Sequence, residues 1–261
     1  MKRPLHLIPI ESSSRTEKPI LSIHKLNKIF QNDGGHLSVL QDISFKISAG
    51  ELVCISGPSG CGKTTLLKLI AGLMKPSSGN IWIGSHEVTR PGPDRCVVFQ
   101  EDALFPWLTV AENIAFGAKR IIDRRVLKKE VNTYLEMVGL SAFKNYLPRE
   151  ISGGMKQRVA LARVLILKPR ILLMDEPFGA LDAQTREEMQ NLLLSLWKEF
   201  SHTILFVTHD LSEAATLADR IIIMSRNAGQ IKSDIPVPLH RPRKKESNDF
   251  HQFYRELRSC L

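Results

Sequence analysis

The sequence lacks any long apolar run. No stretch approaches the roughly 18 residues with which a helix crosses a bilayer, so we expect no transmembrane helix. It also lacks paired cysteines, since its four cysteines form neither a C-x-x-C pair nor a zinc-type spacing, which favours free thiols in a reducing compartment. The apolar part of Met1–Ser14 is too short for a secretory signal and contains Pro4 and Pro9. We therefore expect the chain to act from the cytoplasmic side.

The composition excludes disordered, collagen-like and coiled-coil proteins, because 43% apolar and 24% charged residues are ordinary for a globular chain. A length of 261 residues fits one large domain, or a core with a modest insertion. The net charge of +9 is concentrated at the ends, where residues 1–30 hold six basic and two acidic residues and residues 240–261 hold six and three. Solvated tails are the ordinary explanation; an anionic membrane surface or nucleic acid is the alternative.

Strand patterns dominate the first part of the chain. Apolar and polar residues alternate in Ile20–Ile23 and in Leu40–Ile47, which predicts strands with one solvated face. Gly34-Gly35 between them indicates a turn. Leu52–Ser56 is mostly apolar, as expected of a strand buried on both faces.

Helical and strand patterns alternate in the rest. The predicted helices are Lys63–Leu73, Val110–Phe116, Arg124–Val138, Gly153–Leu167, Ala183–Phe200 and a weak one at Asp249–Leu257, and the predicted strands are Ile171–Met174, Thr203–Val207 and Arg220–Met224. This order predicts an α/β fold, a mostly parallel sheet covered on both sides, with a helical subdomain inserted at about 101–167. We divide the chain into a flexible segment 1–19, a domain 20–240 and a basic tail 241–261, with Pro238–Lys245 as a solvated linker. The alternative for Arg241, Arg243, Lys244 and Lys245 is contact with lipid phosphates.

Residues 57–64 match the phosphate-loop pattern G-x-x-x-x-G-K-[ST] at every fixed position. Glycines suit such a loop because backbone N–H groups must turn inward around a phosphate, which then meets the N-terminus of a helix. Lys63 is expected to reach the β and γ phosphates, and the Thr64 hydroxyl to bind Mg²⁺. We predict that a nucleoside triphosphate is held by Gly57, Pro58, Ser59, Gly60, Cys61, Gly62, Lys63, Thr64 and Thr65.

A second acidic feature stands at the end of the apolar strand Ile171–Met174, where Asp175 and Glu176 follow. Ligands of α/β sheets bind at this edge. We predict that Asp175 holds Mg²⁺ and that Glu176 accepts a proton from an attacking water. The alternative is a solvated pair of carboxylates at a strand end.

The segment Ile151–Arg158, I-S-G-G-M-K-Q-R, resembles the L-S-G-G-Q signature of the ATP-binding-cassette (ABC) superfamily. Ser152 is an N-cap type of residue, and the segment opens a long predicted helix. Met155 replaces the Gln of the signature, which removes one side-chain amide. Two further residues match family elements at the expected places along the chain. Gln100, before the signature, matches the Q-loop glutamine near Mg²⁺ and the water. His209, after it, matches the switch histidine near the γ-phosphate.

Two other positions also match the family. Asp182, in Gly179–Asp182, matches the D-loop that crosses the dimer interface. Phe30 matches the aromatic that stacks on adenine, with an ordinary core position as the alternative.

The resemblance spans about residues 20–240 and implies a P-loop NTPase fold with a RecA-like parallel core, an N-terminal antiparallel β part and the helical insertion. It implies a homodimer in which Ser152, Gly153 and Gly154 of each copy close on the ATP of the other. The implied ATPase uses ATP and Mg²⁺, with Gln100 as a further metal contact. Its catalytic residues would be Glu176, His209, Gln100 and Lys63.

The amino-acid sequence around the motifs is similar to the sequences of cassettes from nitrate, sulfonate and taurine importers. This implies a peripheral subunit at the cytoplasmic face of the inner membrane, a separate permease, an extracytoplasmic solute-binding protein as an indirect partner, and no specific nucleic acid. Leu104–Leu108 is expected to form either the permease dock or ordinary packing. Two alternatives stay open: a soluble ABC ATPase, for example of the iron–sulfur assembly type, and a degenerate cassette that binds ATP as a regulator.

Overall fold

The computed structural model describes residues 19–32, 35–101, 103–226 and 229–261. The predicted flexible segment 1–19 lies outside these residues except for its last position, and so does Gly34 of the predicted turn. The strands are β1 (Leu21–Asn32), β2 (Gly35–Ile47), β3 (Leu52–Ser56), β4 (Ser78–Ile83), β5 (His86–Glu87), β6 (Arg95–Val98), β7 (Ile171–Asp175), β8 (Thr203–Val207), β9 (Arg220–Met224) and β10 (Ile231–Pro236). The helices are α1 (Lys63–Ile70), α2 (Val110–Ala115), α3 (Arg124–Met137), α4 (Gly153–Leu165), α5 (Ala183–Phe200), α6 (Leu211–Leu217) and α7 (Asn248–Ser259).

Two sheets carry the fold. The larger has the order β10-β9-β3-β8-β7-β6 and is parallel except for β10, which pairs antiparallel with β9 at one edge. The smaller is antiparallel, with the order β2-β1-β4-β5. The predicted parallel core with an N-terminal antiparallel part is therefore confirmed.

The predictions from the sequence did not include β4, β5, β6, β10 and α6, and they ended β1 at Ile23. The alternation in β1 breaks there because Lys25 has a positive φ of 43° and the pairing with β2 shifts register between Ile23 and Leu26. β10 is an edge strand whose residues alternate only between half-buried and exposed, so its apolar signal is weak.

The parallel strands separate two hydrophobic cores because successive side chains point to opposite faces. In β3, Leu52 and Cys54 face the core formed with the helical subdomain, α5, α6 and α7. Val53 and Ile55 face the core between the parallel sheet, α1 and the antiparallel sheet. This two-sided burial explains the nearly continuous apolar run in the sequence.

The inserted region contains α2, α3 and α4, as predicted, with each helix beginning at the predicted residue. Thr109 caps α2 in a reciprocal capping box with Glu112. Among the described residues, no helix is long and apolar enough to cross a bilayer.

The expectation that Pro238–Lys245 is a solvated linker is wrong. Arg243 donates hydrogen bonds to the carbonyls of Ala215, Thr216 and Ala218 at the C-terminal end of α6, and Arg241 stacks 4.4 Å above the Trp197 ring. These contacts satisfy carbonyls that a helix end leaves unpaired. Burial lowers the pKa of Arg243 to about 10.

The terminal helix α7 also packs against the domain. It buries three apolar side chains on one face, Phe250, Phe253 and Leu257, within the core that contains α6. The predicted boundary after residue 240 stays a prediction. Whatever its function, the segment beyond it is docked on the core.

Candidate functional site

The phosphate loop connects β3 to α1. Gly57, Gly60 and Gly62 all have positive φ, at 156°, 81° and 98°. A Cβ on Gly62 would lie 2.8 Å from Leu40 and 3.0 Å from the Val39 carbonyl, so the loop can lie against β2 only with glycine there. A Cβ on Gly60 would meet nothing within 4 Å, which puts Gly60 on the open side of the loop.

Lys63 begins α1 and is buried, with 6% exposure. Its ammonium donates to the carbonyls of Gly57 at 2.8 Å and Pro58 at 3.1 Å. No carboxylate forms an ion pair with it within the described part of the chain. A buried cation without a counter-charge, set inside a loop at a helix N-terminus, is suited to an anion such as a phosphate.

Cys61 contributes its backbone to the loop, because its side chain is buried in the core beneath it. Burial raises the pKa of the thiol, so it stays protonated near neutral pH. Thr64 and Thr65 follow Lys63 on the first turn of α1 and are more accessible.

Asp175 lies at the end of β7, next to the phosphate loop. The Thr64 hydroxyl donates to Asp175 Oδ1 at 3.1 Å. Asp175 is only 8% exposed, and this burial raises the pKa of its carboxyl. A hydroxyl and a carboxylate at this separation are the hard oxygen ligands that Mg²⁺ prefers, so the residues fit the predicted metal.

Glu176 and His209 meet at the ends of neighbouring strands. His209 Nδ1 and Glu176 Oε2 are 2.7 Å apart. Glu176 has a positive φ of 46°, held by a hydrogen bond from its N–H to the Val207 carbonyl at 3.0 Å. Such a conformation is uncommon for a residue other than glycine and occurs at active sites. The pair places a proton acceptor beside the phosphate loop, whose depression Glu176 lines.

Gln100 stands just after β6 and is exposed. Its side-chain nitrogen lies 3.6 Å from the point where a Cβ on Gly179 would sit, so the Q-loop position and the D-loop position are adjacent. Its carbonyl accepts a hydrogen bond from Gln157 of α4 at 3.0 Å, and the Arg163 guanidinium donates to the Ala103 carbonyl at 2.8 Å. The helix that follows the signature therefore holds the Q-loop backbone.

The signature contacts α5 within the same chain. Ser152 caps α4 by accepting from the Met155 N–H at 3.3 Å, and a Cβ on Gly154 would overlap the Thr185 methyl. Asp182 caps α5 by accepting from the Thr185 N–H at 3.0 Å and from its hydroxyl at 2.6 Å. These hydrogen bonds lower the pKa of Asp182. The structure thus brings signature and D-loop together.

Phe30 lies in β1 and is half-buried. It belongs to neither hydrophobic core, so the alternative of an ordinary core position is wrong. Its ring lies 5.0 Å from the Lys28 ammonium and lines an open surface depression with Gln31, His36 and Ser77. Stacking on adenine stays a prediction.

A buried carboxyl behind His209 was not among the residues predicted from the sequence. Glu213 is 5% exposed and accepts a hydrogen bond from Gln190 of α5 at 3.1 Å. Burial raises the pKa of Glu213, although the Thr208 hydroxyl and Gln190 bond to it. With Arg186 it lines a small cleft that reaches Glu176 and His209. The available signal was an acidic residue within an apolar segment of α6.

Arg186 connects this cleft to the D-loop. Its guanidinium donates to the carbonyls of Phe178 at 3.3 Å and Leu181 at 2.8 Å. The backbone of the D-loop is therefore held from α5, close to the Glu176–His209 pair.

Comparison with known proteins gives consistent matches. The ABC transporter family model matches residues 40–179. The aliphatic sulfonates import ATP-binding protein SsuB of Bacillus cereus is 45% identical over 237 residues, covering 91% of this chain and 94% of that protein. The taurine import ATP-binding protein TauB of Roseobacter denitrificans is 48% identical over 220 residues, covering 84% and 82%.

Solved structures agree with the sequence matches. The dimeric structure of MJ0796, a bacterial ABC transporter cassette, has a TM-score of 0.74 and 31% identity and covers 84% of this chain and 100% of that one. A second dimeric structure of that cassette, with a TM-score of 0.73, is a post-hydrolysis state bound to ADP and phosphate. A family model matching more than half of the chain, with relatives nearly as long as the chain itself, shows that this protein belongs to the ABC transporter family, as one of its ATP-binding cassettes.

Proposed function

We propose that this chain is the ATPase subunit of an importer that takes up a small anionic solute of the sulfonate, taurine or nitrate type through a separate permease. The observation that carries the proposal is one sheet edge that brings Lys63, Asp175, Glu176 and His209 to the same loop. Similarity to import subunits over about nine-tenths of the chain supports the transport role. A regulator without turnover would not need this complete set.

The residues of this chain would share the work of hydrolysis. The Lys63 ammonium would leave its carbonyl partners and bind the β and γ phosphates, where it stabilises the developing charge. Glu176 would accept the proton of the attacking water, and its partner His209 would contact the γ-phosphate. Gln100 would orient the same water from the Q-loop.

Thr64 and Asp175, with Gln100 from the Q-loop, are the residues that would hold Mg²⁺. When bound, the ion neutralises charge on the phosphate oxygens. The buried Asp175 carboxyl would be kept ionised by the cation, which offsets the cost of its desolvation.

Two copies would form the working unit. Gly154 packs against Thr185 of α5, whereas a Cβ on Gly153 would meet nothing within 4 Å. None of the three signature residues Ser152, Gly153 and Gly154 lines the depression at the phosphate loop, so their predicted contact with ATP would be made to the loop of a partner copy. The dimeric form of the MJ0796 cassette supports this arrangement. Asp182 would lie at the interface between the copies.

The permease would dock near the Q-loop. Trp107 is 71% exposed, while its neighbour Phe105 packs between Trp107 and Phe116, with ring centroids 5.7 Å and 4.2 Å away. Leu104–Leu108 would therefore combine both predicted roles, with Phe105 as the packed base and Trp107 as the accessible contact. We place the subunit at the cytoplasmic face of the membrane, with a solute-binding protein acting on the other side.

The test is to purify the tagged chain from its own cells in mild detergent. We expect an integral membrane protein to co-purify, and the reconstituted complex to import a labelled sulfonate only with ATP. Lys63→Ala should abolish uptake while the complex still assembles. A stable complex with soluble assembly proteins, and none with a membrane protein, would instead support the iron–sulfur type of cassette.

A further inference from the structure

A dense group of exposed cations lies in the helical subdomain. Residues 119–129 contain six basic residues and one acidic residue. We call the basic patch the six exposed side chains Lys119, Arg120, Arg124, Arg125, Lys128 and Lys129. In the described part of the chain, none of the six forms an ion pair. The acidic residue, Asp123, instead caps α3 by accepting from the Arg125 N–H at 2.9 Å.

The helix presents these charges outward without benefit to its own stability. α3 buries Leu127, Val131, Tyr134 and Leu135, which leaves its basic residues on the opposite, solvated face. Arg124 and Lys128 are four residues apart, as are Arg125 and Lys129. Like charges at this spacing destabilise a helix, so the stability of α3 does not explain its four basic residues.

Aliphatic side chains lie next to the basic patch. Ile121 is 65% exposed and Val126 is 51% exposed. With Ile166 and Leu167 they line a groove of about 300 Å³. Its one carboxylate, Glu130, is paired with Lys168 at 3.3 Å, so the groove adds no uncompensated negative charge.

The basic patch lies beside the surface that we assign to the permease. Phe116, whose ring stacks on Phe105, directly precedes the turn that leads to Lys119. A Cβ on Gly117 would lie 3.3 Å from Leu167, which lines the groove. This step rests on the proposed function, because it uses the permease dock to place the membrane on this side of the molecule.

We propose that the basic patch and its aliphatic groove bind the anionic phospholipid surface of the membrane next to the permease. Several cations around short aliphatic side chains suit a plane of phosphate headgroups, which attracts basic residues and admits apolar ones to a shallow depth. The groove offers no aromatic ring on which a nucleobase could stack, so nucleic acid fits it less well. Two arginines of the basic C-terminal segment, Arg241 and Arg243, are already engaged in the fold.

The experiment measures sedimentation of the full chain with vesicles, without permease and without nucleotide. We expect binding to phosphatidylcholine vesicles that contain phosphatidylglycerol, little binding to phosphatidylcholine alone, and loss of binding at high salt. The variant R124Q/R125Q/K128Q should bind about 100-fold more weakly, because each basic residue near an anionic surface contributes roughly fivefold. Ile121→Ser should also weaken binding, with the charge unchanged.

The matched control is K198Q/R255Q/R258Q, which removes three other exposed cations and gives the same net charge. It should bind as the parent does, and both triple variants should keep the parent ATPase activity. R124Q/R125Q/K128Q should melt no lower than the parent, because it removes two like-charge pairs from α3. Equal loss in the two variants, no binding of the parent to anionic vesicles, or tighter binding to duplex DNA than to vesicles would overturn the proposal. Since the vesicles contain no permease, a failure here leaves the importer assignment intact.

Discussion

At the scale of single residues, the contact between Glu176 and His209 is the most informative. His209 Nδ1 and Glu176 Oε2 are 2.7 Å apart, so the two side chains are hydrogen-bonded to each other. The strained backbone of Glu176 keeps its carboxylate at the mouth of the phosphate loop. A group placed this way can accept a proton from water without moving its backbone.

Replacement of Glu176 by Gln should lower the rate of phosphate release by about 10²–10⁴-fold, because the amide cannot accept the proton. ATP affinity should be retained, since Lys63 and the loop are unchanged, and the ATP-bound dimer should persist. Single-turnover hydrolysis and size-exclusion chromatography with ATP measure the two effects. The exposed Glu187→Gln serves as control, and a Glu176→Gln variant with near-parent turnover would remove Glu176 from this role.

Glu213 gives a prediction for pH. Because burial raises its pKa above the ordinary 4.5, the fold favours the protonated carboxyl. Its contribution to stability is therefore full below about pH 4.5 and is lost as the pH rises through the raised value. In the Glu213→Gln variant, the new amide can still accept a hydrogen bond from Gln190, but it does not titrate.

Urea unfolding across a pH series should show that the stability of Glu213→Gln relative to the parent increases from about pH 4.5 upward and then levels off. The other carboxyls contribute equally to the pH dependence of both proteins, so their contributions cancel in the difference. A difference that stays constant with pH would show that Glu213 does not titrate as its burial requires.

At the scale of elements, the start of α4 is held at a fixed distance from α5. Gly154 allows this contact because any Cβ there would overlap the Thr185 methyl, whereas a Cβ on Gly153 would meet nothing within 4 Å. The two neighbouring glycines of the signature thus have different reasons to be glycine. Gly154 permits packing inside the chain, and Gly153 faces open space, where the proposed dimer would place the partner copy.

Gly154→Ala should destabilise the chain by about 1–3 kcal/mol, the usual cost of overpacking. Adding Thr185→Ser, which removes the overlapping methyl and keeps the hydroxyl that bonds to Asp182, should recover most of the loss. Gly153→Ala should change stability by less than about 0.5 kcal/mol. Chemical denaturation of the three variants measures this, and equal effects at the two glycines would contradict the assigned contact.

At the scale of the whole molecule, the residues expected to touch one nucleotide lie on two surfaces of one chain. The phosphate loop, Asp175 and Glu176 share an edge of the large sheet, while the signature contacts α5. In the proposed dimer, one copy would supply each site with only part of its residues. Symmetric pairing of two copies would complete both sites at once.

Mixed dimers test this directly. Lys63→Ala removes the loop contact, and Gly153→Asp places a carboxylate at the open signature position; each variant alone should be nearly inactive. A one-to-one mixture should recover about a quarter of parent activity, because half of the dimers then contain one intact composite site. No recovery in a mixture that demonstrably forms mixed dimers would contradict the shared site.

The sequence by itself determined the chemistry of the loop, the alternation of strands and helices, and the helical insertion. These follow from local rules: Gly57–Thr64 must adopt a backbone that suits phosphate, and β3 must be apolar to be buried on both faces. The family order then predicted which polar residues meet at the sheet edge.

Only the tertiary structure decided which charged residues are engaged in contacts within the fold. The linker arginines Arg241 and Arg243 had the composition of a solvated tail, yet they satisfy helix carbonyls and stack on Trp197. Glu213 was not singled out from the sequence, and its burial behind His209 is seen only in the fold. Hydrogen-bond partners and exposure depend on contacts between residues far apart in the chain, and no local pattern records them.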